Sequence, residues 1–390
     1  MVSPAGRVME LLSQRYGASV RPRVFRAPGR VNLIGEHTDY NMGLVLPVAI
    51  ELACYTAIAP NAQDCLRVFS ANYSEERVWP VDAIATAQPA HDWADYVLGV
   101  SRELVLAGYP VQGADLAVWS TIPPGSGLSS SAAIEVSIAC ALLGDRSMPP
   151  LELVKLCRRA ENDFVGMPCG IMDQFICVFG KASAAVKIDC RSLDSEIVPL
   201  PAGVEIIAVN SMMKHELATT AYRQRVAECA AAVQAIQQHK PCVQSLRDVT
   251  AAEVTELDPV IPVVAARRAL HVTSENERVI AFVEACGRGD VRAMGELFIA
   301  SHRSLQKDYE VSCEELDFLV ETALRIPGVV GARMTGGGFG GCTVNLLRPE
   351  VSSTFRSAVA HEYRARFGIT PEFYPCRPSE GAAEVPAPLV

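Results

Sequence analysis

The sequence predicts an α/β (α+β) fold in two parts, residues 1–200 and 201–390, on three observations. The chain has 390 residues, enough for two domains, or one large one, with ample core. The strand-like run Ala117-Val118-Trp119-Ser120 leads through a Gly- and Ser-rich loop into the small-residue apolar run Ile134 to Leu143, closed by Gly144, which reads as a buried helix. Near residue 200 the pattern turns to helical periodicity, in Ala218 to Gln238, Val263 to Cys286, Val291 to Ser304 and Cys313 to Ile326.

Residues 5–16 read as a short amphipathic helix. Val24 to Pro28 then leads into Gly29-Arg30-Val31-Asn32-Leu33-Ile34-Gly35-Glu36-His37-Thr38-Asp39-Tyr40-Asn41, flanked by strand-like runs at Leu44 to Ile50 and Cys54 to Ala59. Arg30, Glu36, His37 and Asp39 crowd one Gly-punctuated segment. Such a cluster can hydrogen-bond a polyhydroxy ligand, or it is a solvated surface turn, because burying those charges without a partner is costly. Between residues 60 and 120 lie further short strands and a helix from about Trp93 to Ala107. Trp93 and Tyr96 either pack in the core, the commoner role, or wall an adenine pocket.

In the loop Ile122-Pro123-Pro124-Gly125-Ser126-Gly127-Leu128-Ser129-Ser130-Ser131 the glycines let a ligand approach the backbone, and the free N–H groups of the following helix aim at one point. Phosphate suits that point, with serine hydroxyls for phosphate or magnesium. The alternative is a capping loop with Ser130 or Ser131 as N-cap. After Pro149-Pro150, the residues Leu153, Leu156, Cys157, Ala160 and Phe164 form one helical apolar face, and Glu161 at its edge wants a magnesium ion or a basic side chain. Asp173 is the lone carboxylate between Asp163 and Asp189, which fits catalysis or a helix N-cap. Tyr222 belongs to the core or reaches a cleft. Met334 to Cys342 contains Gly-x-Gly-x-x-Gly, but Thr343 to Leu347 reads as a strand. A dinucleotide fingerprint needs a helix there, so a glycine hairpin packing closely on another backbone or a phosphate is expected instead.

Composition narrows the function. Hydrophobic residues make up 49% and charged residues 20%, as in a globular chain, and the net charge of −9 argues against a general nucleic-acid binder. The 13 cysteines include no compact zinc pattern, since the nearest pair is Cys169 and Cys177. An odd count without a signal peptide predicts reduced thiols and a cytoplasmic location. No apolar run approaches the length of a membrane span.

Three motifs in order, Gly29 to Tyr40, Pro124 to Ala132, and Thr335-Gly336-Gly337-Gly338-Phe339-Gly340-Gly341, resemble the GHMP small-molecule kinases. Gly29 to Asn41 is similar to the galactokinase signature within that superfamily, as are Cys169 to Phe175, Lys214-His215-Glu216-Leu217, and Ser301 to Leu305 through Asp308 to Ser312. Two departures are small: Met42 where glycine is common, and Asn162 where histidine is common. The resemblance implies a two-lobed fold with ATP and a sugar meeting in the interlobe cleft, and ATP-dependent phosphorylation of D-galactose at its 1-hydroxyl. It implies that Asp173 faces that hydroxyl as base or orienter with Arg30 beside it. Glu36, His37, Asp39, Gly170 and Tyr222 match sugar-contacting positions. Residues Gly125, Ser126, Gly127, Leu128, Ser129, Ser130 and Ser131 hold the phosphates, with Trp93 at the adenine, and Ser131 and Glu161 match the Mg2+ positions. The expected partners are galactose and ATP, with no nucleic acid or membrane, and the expected state is a monomer. The alternatives are a kinase of another sugar, such as N-acetylgalactosamine, and a non-catalytic galactose and ATP sensor. Such sensors lack the small residues that stand here as Ala132 and Ala133, which favours the enzyme.

Overall fold

The computed structural model describes residues 3–17, 22–214 and 218–386, so residues 215–217 of the Lys214–Leu217 stretch lie outside the described residues. The strands are β1 (Arg23–Asn32), β2 (Leu44–Val45), β3 (Pro47–Pro60), β4 (Cys65–Ser70), β5 (Glu75–Pro80), β6 (Ala114–Ser120), β7 (Ala184–Asp189), β8 (Ser195–Pro199), β9 (Glu205–Lys214), β10 (Val329–Thr335), β11 (Gly340–Leu347), β12 (Glu372–Pro375) and β13 (Ala383–Val385). The helices are α1 (Pro4–Tyr16), α2 (Asp95–Leu106), α3 (Ser130–Leu143), α4 (Pro150–Arg159), α5 (Met172–Phe179), α6 (Ala218–Gln237), α7 (Ala251–Leu257), α8 (Val263–Arg288), α9 (Val291–Ser304), α10 (Glu314–Leu324) and α11 (Ser352–Phe367).

Among the described residues the strands form three sheets. The first runs β13-β1-β3-β6-β4-β5 and is antiparallel except where β4 meets β6. Its middle is covered on both faces, which is why β1 and β3 read as apolar runs. Helix α1, capped by Ser3 on the Gly6 amide, sets Ala5, Val8 and Leu12 against Val24, Ala57 and Ala117 on one face. Helix α3 packs on β1 and β3 from the other. The second sheet runs β10-β11-β9-β12, and the small third sheet runs β2-β7-β8. The largest apolar cluster includes Val31 and Val136 together with Ile206, Phe298 and Val344, so the two sheets share a core. The last strand returns to the first sheet, where Glu384 accepts from Arg23 Nε and Nη2 at 2.8 and 2.7 Å.

Several elements differ from expectation. Helix α3 begins at Ser130, four residues before the predicted run, because Ser130 to Ala133 already take helical geometry behind a left-handed Ser129 (φ 59°). The expected face Leu153, Leu156, Cys157, Ala160 and Phe164 is buried, but α4 widens into a π-turn over Ala160–Val165. The run predicted at 44–50 is split at Leu46: Leu44–Val45 is β2 of the third sheet, and its remainder joins the run predicted at 54–59 in the single strand β3 of the first. Helices α7 and α11 have no counterpart in the sequence reading. The Gly-rich third motif is the turn of the hairpin β10–β11, as predicted.

Candidate active site

The loop from β6 to α3 turns at Gly125 and Gly127, whose φ angles of 71° and 77° favour glycine. The N-cap of α3 is Ser129, not Ser130 or Ser131, and its side chain caps no amide. Its hydroxyl donates instead to Asp173 Oδ2 at 2.5 Å. The uncapped helix start faces a cavity of about 380 Å³ lined by Gly125, Gly127, Ser129, Ser130, Ser131 and Asp173, with Tyr73, Trp93 and Tyr96 on the far wall. Ser126 and Leu128 turn away: the Ser126 hydroxyl donates to Pro123 O at 2.8 Å, and Leu128 is in the core. The third motif supports the loop from behind. A Cβ at Gly336 would stand 3.1 Å from Gly127 O, and one at Gly341 would stand 3.1 Å from Ser126 O, so the hairpin backbone approaches as closely as its glycines allow.

Trp93 is 9% exposed; it joins the core cluster and also lines the cavity. Its ring stacks on Tyr73 with centroids 5.7 Å apart, and its Nε1–H donates to Glu75 at 3.1 Å.

Asp173 lies in the first turn of α5, whose N-cap is Ile171, so it does not cap that helix. Its carboxylate accepts from Arg30 Nε and Nη2, both at 2.8 Å, in a two-pronged pair. Arg30 Nη1 also donates to Gly127 O at 2.5 Å, so this side chain ties β1, the loop and α5 together. Burial alone would lower the Arg30 pKa, but the charges of Asp173 and Glu36 outweigh it and push it above its ordinary value.

Behind Asp173 sits a buried acid pair. Gln174 Nε2 donates to Glu161 Oε2 at 2.6 Å and to Glu135 Oε2 at 3.0 Å, and Cys169 Sγ lies 3.2 Å from Glu161. Burial, aided by the charge of Asp173, raises the Glu161 pKa; burial and the charge of Glu161 push Glu135 well above the usual range. Among the described residues Glu161 thus meets an amide, a thiol and the Ser131 hydroxyl, not a lysine or arginine. The sequence reading missed Glu135, Gln174 and the part played by Cys169. One signal was available for Glu135, a lone carboxylate one turn after Ser131 in an apolar helix.

A second cavity of about 210 Å³ adjoins the first and shares Arg30, Ser131, Asp173 and Gly337 with it. Its other walls include Glu36, His37, Asp39, Glu161, Gly170 and Tyr222. With Arg30 at 5%, Glu36 at 1% and His37 at 5% exposure, the segment is not a solvated surface turn. Gly170 is required by space: a Cβ there would stand 1.8 Å from Asp39 Oδ2. Burial and the nearby Asp173 charge push the Asp39 carboxyl up to about 6. Burial, with the His271 and Arg225 charges, pulls His37 down to about 3, so its ring is neutral, with Nδ1 2.8 Å from the Tyr40 hydroxyl. Tyr222 both packs and faces the cavity, its ring centroid 5.6 Å from that of His37.

Comparison with known proteins agrees with this arrangement. Residues 10–60 match the galactokinase galactose-binding signature, residues 95–181 the GHMP kinases N terminal domain, and residues 282–365 the GHMP kinases C terminal family. The chain is 44% identical over 383 residues to a galactokinase of Roseiflexus sp. (strain RS-1), covering 97% of each chain. It is 43% identical to a galactokinase of Chloroflexus aggregans, covering 95% of each. The crystal structure of Lactococcus lactis galactokinase complexed with galactose superposes with a TM-score of 0.94 at 34% identity, covering 98% of this chain and 100% of that one. The mevalonate kinase of Methanococcus jannaschii shares the fold at 18% identity, with a TM-score of 0.67 over 93% of this chain and all of that one. Shared across almost the whole length at such identity, signature and fold together place this chain in the galactokinase family of the GHMP kinases.

Proposed function

We propose that the protein transfers the terminal phosphoryl group of ATP to the C1 hydroxyl of D-galactose, giving α-D-galactose 1-phosphate and ADP. The observation that carries this reading is the place of Asp173 and Arg30 on the wall common to the two cavities. ATP occupies the larger one, with adenine among Tyr73, Trp93 and Tyr96 and the phosphates on the amides of the 125–131 loop. That loop stands in for a Walker lysine. Galactose occupies the smaller one, its hydroxyls meeting Glu36, His37, Asp39, Tyr222 and the Gly170 backbone.

Asp173 orients the 1-hydroxyl and takes its proton as phosphoryl transfer proceeds. Arg30 holds that carboxylate and supplies positive charge beside the transferred group. Ser131 and Glu161, two hard-oxygen donors on one cavity wall, fit magnesium, which takes one or two protein ligands and completes its shell with phosphate and water. Bound there, the ion would neutralise charge on the phosphate oxygens. The reading extends to a cytoplasmic monomer of two lobes divided near residue 200, with residues 376–385 returning to the first; its 13 unpaired cysteines suit a reducing compartment.

The test is ADP release by purified protein with Mg2+, ATP and a panel of aldoses. A site that pairs a particular hydroxyl rejects its epimer by orders of magnitude, so galactose should far exceed glucose in kcat/KM. Equal use of the two epimers would refute galactose specificity, and binding without ADP release would identify a sensor.

A further inference from the structure

Arg333 is the largest side chain that is fully buried, at 0% exposure, and no part of it reaches either cavity. It lies on β10 in the second sheet. Its Nη1 donates to Leu33 O at 2.6 Å and Asn32 O at 3.2 Å, at the end of β1 in the first. Its Nη2 stands 3.5 Å from Glu36 Oε1, and its Nε and Nη2 have no hydrogen-bond partner among the described residues. A cation buried this deeply is seldom retained for stability, because an apolar side chain of similar size serves as well or better. Its position suggests what it does serve.

Glu36 Oε1 already accepts from Thr335 Oγ1 at 2.9 Å and from the Gly336 amide at 2.8 Å, with the Arg333 guanidinium beside it. Glu36 Oε2 accepts only from Asn32 Nδ2, at 2.6 Å. One oxygen is therefore saturated by the second sheet's hairpin, the other keeps acceptor capacity, and Glu36 lines the smaller cavity. We infer that Arg333 and Thr335 are specificity-determining positioning residues: from behind the wall they fix which carboxylate oxygen Glu36 offers, and so which sugar hydroxyl the enzyme reads. This rests on the galactose reading of that cavity. The carboxylate is set by one half of the chain and presented by the other, so sugar selection depends on the hairpin β10–β11 being in register with the loop that follows β1.

The test uses Arg333→Met, Arg333→Lys and the milder Thr335→Val, with galactose and its monodeoxy analogues. Galactose affinity by calorimetry and galactose KM should weaken about tenfold in Thr335→Val, the scale of a lost hydrogen bond to a charged group, and at least as much in Arg333→Met, which removes the positive charge beside Glu36 and two bonds to the backbone at the end of β1. Arg333→Lys should recover part of the loss. ATP KM should stay within about twofold, since the phosphate loop is untouched. For the one deoxy sugar that lacks the hydroxyl read by Glu36, wild type and variants should bind alike, a coupling that general destabilisation cannot mimic. Equal losses for ATP and galactose, equal penalties for every deoxy sugar, or normal galactose binding would each overturn the inference. Should Arg333→Met not fold, Thr335→Val decides alone by the same comparison. If wild-type protein does not use galactose, the proposed function fails; if it does and the variants match it, only this inference fails.

Discussion

Asp173 receives three hydrogen bonds from two side chains, so its orientation is fixed before any substrate arrives. Asp173→Asn keeps its shape and removes the ability to accept a proton. We expect kcat to fall about 100-fold or more, the usual scale for lost general-base help, with ATP affinity little changed. A stable variant with near-normal turnover would defeat the assignment. Asp39 gives a separate readout. With its pKa near 6, its carboxylate is charged above that pH and neutral below it, and in the proposed sugar-binding role the neutral form would accept hydroxyls less well. kcat/KM for galactose should therefore decline below about pH 6, and Asp39→Asn should abolish that inflection, because this parameter reports groups of the free enzyme. Residues of this kind were legible where they cluster, as Arg30, Glu36, His37 and Asp39 do within ten positions. Gln174 and Arg333 were not, because only the fold reveals which charge each meets, and Glu135 showed only as a lone carboxylate in an apolar helix.

At the scale of elements, motifs rich in glycine were legible because glycine has few reasons to recur. The 125–131 loop before a helix and the 336–341 hairpin after a strand both take the forms their flanking runs predict. Boundaries were harder to read. A run of serines and alanines can end a loop or begin a helix, and a π-turn such as Ala160–Val165 has the same apolar spacing as the helix it interrupts. Gly170 makes an element-level prediction. It has no positive φ, so nothing in its backbone demands glycine; the demand comes from the Asp39 carboxylate, which a Cβ would overlap at 1.8 Å. Gly170→Ala must push apart the turn before α5 and the short 3₁₀ turn at Asp39–Asn41. Galactose KM should rise about 100-fold, the cost of misplacing groups by about 1 Å, while ATP KM changes little. Normal galactose kinetics in this variant would show that the two turns are not held in contact.

For the whole molecule, the two halves meet through buried polar groups as well as apolar ones. His271 on α8 contacts the Ser304 hydroxyl through Nδ1 at 2.9 Å and Glu36 O through Nε2 at 3.1 Å, and the Gly35 amide donates to Glu275 at 2.9 Å. Burial holds His271 down to about 4, despite the raising effect of Glu275, and holds His37 at about 3, both against 6.5 for the free side chain. The sign follows by linkage. Above about pH 6.5 neither histidine binds a proton in either state, and their stability contribution is complete. As pH falls toward 4 the unfolded chain takes up protons that the native state refuses, and that contribution is lost. Asp39 acts in the opposite sense, because its raised pKa favours the native state at low pH and loses that benefit as pH rises through about 6. Glu135 and Glu161, raised by burial as well, act in the sense of Asp39 and oppose the histidines as the pH falls. The histidine contribution therefore appears as the difference between the wild type and a variant that cannot titrate. His271→Gln, which can keep one hydrogen bond to the segment after β1 and cannot titrate, should lower Tm at pH 7, and its deficit against the wild type should narrow as the pH falls to 5. A Tm deficit in His271→Gln that stays constant from pH 7 to 5 would show that His271 carries no acid sensitivity at the junction between the halves.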